Sequence, residues 1–284
     1  MRLMNSHRTL YRGVCFLVAL FALGPARAQN YSPSSITAYS NPIKPSLAVD
    51  WFDNVIPQVV EGGGWKTTFF LTNLGSTTAY FDIYFMTDNG DLMALPLSGY
   101  GATKELTGRI PPYQSIEFET PGSSNQLFQG SAQIFTLDKP AEDPTSSPIP
   151  TTLGGYAIFR QRVAGRPDFE AVVPVSPMFE QSFVIGFDNR SGYSTGVAVI
   201  NAGSRVSPVL LTVRDNAGLV LMTDSFSLQS SQKLVFSVLD RYPALREKSG
   251  VLQFSTTNST LTGLGLRFNP GGAFTSIHSL SLLQ

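Results

Sequence analysis

The chain has 284 residues, with 20 basic and 20 acidic side chains, two histidines and one cysteine. Neither charge sign forms a block, which argues against nucleic acid or an acidic lipid surface as partner. The cysteine and histidine counts exclude a disulfide framework and weigh against a His-based metal centre.

Residues 1–28 have the parts of an export signal. Arg2, His7, Arg8 and Arg12 open it, an apolar run follows from Gly13 to Leu23, and Gly24-Pro25 breaks any helix. Ala26-Arg27-Ala28 supplies small side chains where a signal peptidase reads, so cleavage is expected between Ala28 and Gln29. The run is about half of the roughly 20 apolar residues that span a bilayer, so no membrane anchor is expected after processing. Cys15 lies inside the run, so the mature chain would have no cysteine and be held by its core alone. Cleavage removes Arg2, Arg8, Arg12 and Arg27 but no acid, leaving 20 − 4 = 16 basic against 20 acidic residues. The expected address is the cell surface, medium or periplasm of a bacterium.

Residues 29–46 are Ser-, Asn-, Tyr- and Pro-rich and read as a flexible leader. From Ala48 onward, short Val-, Ile-, Thr-, Phe- and Tyr-rich runs alternate with Gly, Asn, Pro and Ser turns, the pattern of strands. Thr67–Thr72 is one strand. Ala79–Met86 is another, with Phe81, Ile83 and Phe85 on one face and Tyr80, Asp82 and Tyr84 on the other. The one helical candidate is Asp240–Leu245, with Asp240 as its cap.

The strands repeat. Gly64-Trp65 to Gly75-Ser76 has its counterpart 128 residues on, in Gly192-Tyr193 to Gly203-Ser204, and Asp88-Asn89-Gly90 falls on Asn216-Ala217-Gly218. Ile110–Phe118 resembles Leu228–Phe236 at an offset of 118, which places about 10 extra residues around Ser98 to Glu105 of the first copy. Phe128-Gln129-Gly130 matches Lys248-Ser249-Gly250, and Gly155–Arg160 matches Gly263–Phe268. The segment Asp138 to Thr152, present in the first copy alone, reads as an exposed loop. The expected fold is all-β, two tandem antiparallel β-sandwich units of immunoglobulin-like type. They would occupy residues 47–165 and 179–276, joined by 166–178 and followed by a tail, 277–284. Ala171-Val172-Val173 makes the joining segment too apolar for a floppy spacer, so the units are expected to pack together.

Gly62-Gly63-Gly64-Trp65, Asn73-Leu74-Gly75-Ser76, Gly155–Gln161 and Leu266–Pro270 give the chain a likeness. It resembles predicted secreted proteins of soil bacteria of the acidobacterial type, which carry tandem immunoglobulin-like or fibronectin-like β-sandwich modules. The likeness covers about Ala48 to Phe274. It implies exported domains associated with the cell surface or matrix, and it transfers no catalytic residue.

Chemistry is sparse. His278 is the mature chain's one histidine, has no Gly-x-Ser-x-Gly elbow to serve, and reads as a solvated tail residue. Gly62-Gly63-Gly64 lacks the Gly-Lys-Ser/Thr of a phosphate cradle and reads as a hairpin or a close approach of chains. Asp88-Asn89-Gly90-Asp91, Asp188-Asn189 and Asp215-Asn216-Ala217-Gly218 offer oxygens that calcium could use, but ordinary turns account for them. No cofactor, metal or catalytic residue is expected. The candidate ligand-binding aromatics are Trp51, Trp65, Tyr113 and Tyr193, which could form a platform for sugar or protein. The leading expectation is a secreted, non-catalytic surface or matrix protein that acts on a protein partner. The alternative is a carbohydrate-binding module using exposed aromatics with calcium support, the partner then being an extracellular polysaccharide.

Overall fold

The structure, a computed structural model, describes residues 34–42, 54–177, 180–257 and 259–282. The segment read as an export signal and Trp51 lie outside the described residues. The first strands are β1 (Ser35–Tyr39), β2 (Asn54–Glu61), β3 (Trp65–Asn73), β4 (Ala79–Thr87), β5 (Leu95–Leu97) and β6 (Gly101–Thr103). They continue as β7 (Glu105–Ile110), β8 (Ser115–Glu119), β9 (Phe128–Leu137), β10 (Leu153–Gln161), β11 (Phe169–Pro174) and β12 (Ser176–Pro177). The later strands are β13 (Ser182–Asp188), β14 (Ser194–Asn201), β15 (Ser207–Asp215), β16 (Val220–Leu228) and β17 (Lys233–Ser237). After a short helix, α1 (Val238–Arg241), come β18 (Ser249–Ser255), β19 (Leu261–Phe268), β20 (Phe274–His278) and β21 (Leu280–Ser281). The fold is all-β, every pairing between described strands is antiparallel, and no sheet closes into a single barrel. Among the described residues no helix is long and apolar enough to cross a membrane.

The sheet orders repeat as the sequence does. One pair of sheets runs β1-β7-β4-β9-β2-β12 and β11-β10-β3-β8; the other runs β16-β15-β18-β13-β21 and β20-β19-β14-β17. Strands β2 to β4, β7 to β12, map in order onto β13 to β21, while β1 and the β5–β6 hairpin have no counterpart. That hairpin is the extra length expected near Ser98 to Glu105. Alternating side chains put Phe81, Ile83 and Phe85 of β4 against Phe69 and Leu71 of β3 in one core. In the other, Val209, Leu211 and Val213 of β15 meet Val197 and Val199 of β14.

Side chains buried at the strand ends repeat too. Asn73 Nδ2 donates to the carbonyls of Thr77 and Ile110, and its Oδ1 accepts from Gly75 N–H and the Thr152 hydroxyl. Asn201 Nδ2 donates to the carbonyls of Arg205, Leu228 and Gln229, and its Oδ1 accepts from Gly203 N–H and the Ser259 hydroxyl. Thr67 and Thr195 each bond the backbone seven residues earlier, Val60 and Asp188. A Cβ on Gly130 would stand 1.8 Å from Met86 O, and one on Gly250 1.9 Å from Arg214 O, so both strand starts require glycine.

The structure changes the reading of the sequence at several places. Ser35–Tyr39, placed in the flexible leader, is a strand along β7 that tucks Ile36 and Ala38 against the core. A five-residue alternation among Ser, Asn and Pro is too short to stand out by composition. Phe169–Pro174, placed in the connection, is the edge strand β11, with Ala171 and Val173 buried. The expected tail carries part of β20 and β21. The cap of α1 is Ser237, whose hydroxyl accepts from Asp240 N–H; Asp240 itself lies inside the helix, in its first turn.

Candidate functional site

The two copies use one sheet face differently. On the outer face of the β11-β10-β3-β8 sheet stand Lys66, Phe70, Tyr156, Arg160, Glu117 and Glu119, with Lys66 paired to Glu119 and Phe70 stacked on Tyr156 at 5.0 Å. The register places Ser194, Ala198, Leu264, Phe268, Val235 and Ser237 at the same points of the β20-β19-β14-β17 sheet. Four charged positions are lost, and this apolar face turns toward the first copy. Leu264 and Phe274 join the first core, and Leu266 and Phe268 pack on it.

A buried ion pair closes the junction. Lys233 Nζ has no exposed surface and lies 2.9 Å from Asp88 Oδ1; it also donates to Gln58 Oε1 and to the Gly130 carbonyl, each at 2.6 Å. Lys233 N–H donates to the Asp88 carbonyl, and Gln129 Nε2 donates to Asp88 Oδ2. Burial lowers the Lys233 pKa from 10.5 to about 8, and the Asp88 carboxylate opposes that shift. Gly90 (φ 87°) lets the turn close on the second copy, since a Cβ there would stand 2.7 Å from Ser230 O. The Asp88 turn, considered above for calcium, therefore holds an ammonium group.

Beside this pair lies a crevice of about 440 Å³ between the copies. Its floor is the outer face of β14, where Ser194, Gly196 and Ala198 leave a trough. Leu264, Leu266 and Phe268 form one bank; Val60, Trp65, Leu127 and Phe159 of the first copy close over it. None of its lining residues is acidic, basic, histidine or tyrosine. The turn Gly62-Gly63-Gly64 places Trp65 here: all three glycines have positive φ, and a Cβ on Gly62 would stand 2.0 Å from Gln126 O.

Of the candidate aromatics, Trp65, Tyr113 and Tyr193 are described, each in its own surroundings. Trp65 lines the crevice and packs at 5.3 Å on Phe274. Tyr113 is 71% exposed at the β7–β8 turn, with φ 58°, a conformation that Ser231 repeats in the second copy at φ 59°. The Tyr193 ring lies under the Arg267 guanidinium, 3.7 Å from its centroid. Trp65 begins β3, whereas Tyr113 lies beyond Ser115, which faces Thr72 near the strand's other end, about 20–25 Å away at ~3.3 Å per residue.

The carboxylates are also engaged. Asp188 accepts from Arg190 and Arg267, each at 2.9 Å, and these bonds hold its pKa well below the usual carboxylate range. Asp215 Oδ1 accepts the backbone N–H groups of Ala217 and Leu219, which makes that segment a self-bonded turn. Asp82 and Glu105 are fully buried on the outer face of β4 and β7, with the Tyr84 hydroxyl 2.8 Å from one and 3.1 Å from the other. Neither of these carboxylates is free. Burial first, then the two carboxylate charges, push Tyr84 far above the ordinary tyrosine range. Among the described residues no three His, Cys, Asp or Glu side chains converge as a metal site would need. His278 is an exposed residue of β20, opposite Leu264.

The junction residues Lys233 and Gln58 were missed in the sequence because their pairing spans 175 positions and no local pattern announces it. A lysine at the Ser115-equivalent position, beside a strand whose outward residues are small, was the available signal. Comparison with known protein families, with curated proteins and with solved structures gives no match.

Proposed function

We propose that the chain is an exported, non-catalytic structural and interaction protein of a bacterial surface or matrix, built from two tandem immunoglobulin-like β-sandwich units that arose by duplication. The repeated sheet order and the matching Asn73 and Asn201 networks support the duplication. The observation that carries the functional reading is the junction. The ion pair and the apolar face beside its crevice fix one unit on the other, and the crevice lining has no acidic, basic, histidine or tyrosine side chain. The arrangement suits a scaffold that presents surfaces. The glycan alternative is less well supported, because Trp65 and Tyr113 stand near opposite ends of β3.

Two measurements test this reading. Expression of the full chain in a bacterial host, followed by intact mass of the exported product, is expected to give residues 29–284. An uncut chain retained in the cytoplasm would overturn export. The purified product is then offered to bacterial surface proteins and to extracellular polysaccharide in separate arms. Saturable binding to a protein alone supports the reading; saturable binding to polysaccharide alone replaces it with glycan recognition.

A further inference from the structure

We infer that the crevice between the two units is a binding site for an extended hydrocarbon chain, whose polar end remains in solvent. Protein interiors are close-packed, and voids larger than a water molecule are few. A crevice of about 440 Å³ is of the size that holds small ligands, and it sits at a domain junction, where such sites concentrate. The polar side chains of its lining are few: Ser194, Ser237 and two glutamines. The two amides near the crevice's end are turned to the ion pair: Gln58 Oε1 accepts from Lys233, and Gln129 Nε2 donates to Asp88. With no charged side chain in its lining, the crevice has nothing to neutralise an ionic ligand.

Shape selects a chain over a bulky ring system. The floor follows β14 from Ser194 to Ala198, four residue steps of about 3.3 Å, and is one strand wide between β19 and β17. Trp65 and Phe268 stand at the Ser194 end, and Val235, 41% exposed, stands at the other. Leu127, 53% exposed, leaves an apolar mouth through which a chain can enter. The first copy carries Phe70 where the second has Ala198, so the same fold accommodates a filled trough in one unit and an open one in the other.

The test is calorimetric titration of the mature protein with decanol, with the compact cage alcohol adamantanol as the shape control. One decanol per chain is expected, with a negative heat-capacity change from apolar burial. Adamantanol should bind at least about tenfold more weakly. Ala198→Phe restores the side chain found in the first copy and should weaken decanol binding by at least about tenfold at unchanged Tm. Val235→Trp covers the rim from outside and provides the same test should Ala198→Phe misfold. Absence of saturable decanol binding, equal binding of adamantanol, or full binding in the folded variants would overturn the site. Flotation with neutral phosphatidylcholine vesicles that is lost in Val235→Trp would identify a lipid acyl chain as the source. Decanol binding without flotation would identify a free amphiphile.

Discussion

Lys233 is an ammonium group with no exposed surface, whereas the side chain of its partner Asp88 is 35% exposed. Removal of the partner from a buried charge costs far more than removal of the charge itself. Asp88→Ala leaves the ammonium unpaired and should lower stability by about 3–5 kcal/mol, whereas Lys233→Met leaves a carboxylate that water reaches and should cost at most about 2 kcal/mol. Equal costs in urea denaturation would refute this asymmetry. The same burial sets a pH dependence. The native pKa of about 8 lies below the ordinary value of 10.5, so between them the unfolded chain holds a proton that the native chain has released. The contribution of Lys233 to stability should therefore rise by a few kcal/mol from about pH 8 to about pH 10.5, and show no gain below about pH 8. Titration of the stability difference between wild type and Lys233→Met isolates this from other groups. At the strand ends, Asn73→Ala and Asn201→Ala should each cost about 2–4 kcal/mol, since each leaves several buried backbone groups unbonded. Aspartate should not rescue either, because it would set a carboxylate against carbonyl oxygens.

Among the strands, β7 and β16 occupy equivalent positions but end differently. β1 covers the edge of β7, whereas β16 is the open edge of its sheet, with Val220 at its start 45% exposed. Exposed edges invite pairing between molecules, and an inward-turned charge is one protection. Asp224, opposite the core residue Leu211, accepts from the Tyr242 hydroxyl at 2.6 Å, from Arg241 at 3.1 Å, and from the backbone N–H of Ser225 at 2.8 Å. Asp224→Val removes that guard and should produce concentration-dependent self-association in light scattering, while Asp224→Asn should remain monomeric. A monomeric Asp224→Val would show that the edge is protected in another way. The alternation Phe81-x-Ile83-x-Phe85 was legible in the sequence because a half-buried strand writes its core face at a period of two. The burial of Asp82 and Tyr84 on the opposite face was not. Phe135, Leu137 and Ala141 pack with Tyr84, and Ala141 lies in the segment read as an exposed loop. A loop that folds back over a sheet leaves no periodic trace.

Across the molecule, the two halves that share a sheet order differ most where they meet. Lys66, Glu117, Glu119 and Arg160 stand on one sheet face, and Ser194, Ala198, Leu264 and Phe268 turn its counterpart into a surface that packs on the other half. That exchange couples their stabilities, because either unit unfolding alone would expose Leu264, Leu266 and Phe268 and strip the partner from Lys233. Exposure of apolar area costs about 25 cal/mol per Å², so separating the units carries a penalty beyond the loss of the ion pair. The chain should therefore unfold in one transition, with tryptophan fluorescence, which reports on Trp51 and Trp65, coinciding with far-ultraviolet circular dichroism. Calorimetric and van't Hoff enthalpies should agree. Asp88→Ala weakens the junction without touching either core, so it should be the variant that splits the transition in two. If wild type already shows two resolved transitions, the units are energetically independent and the junction holds them in place without stabilising them.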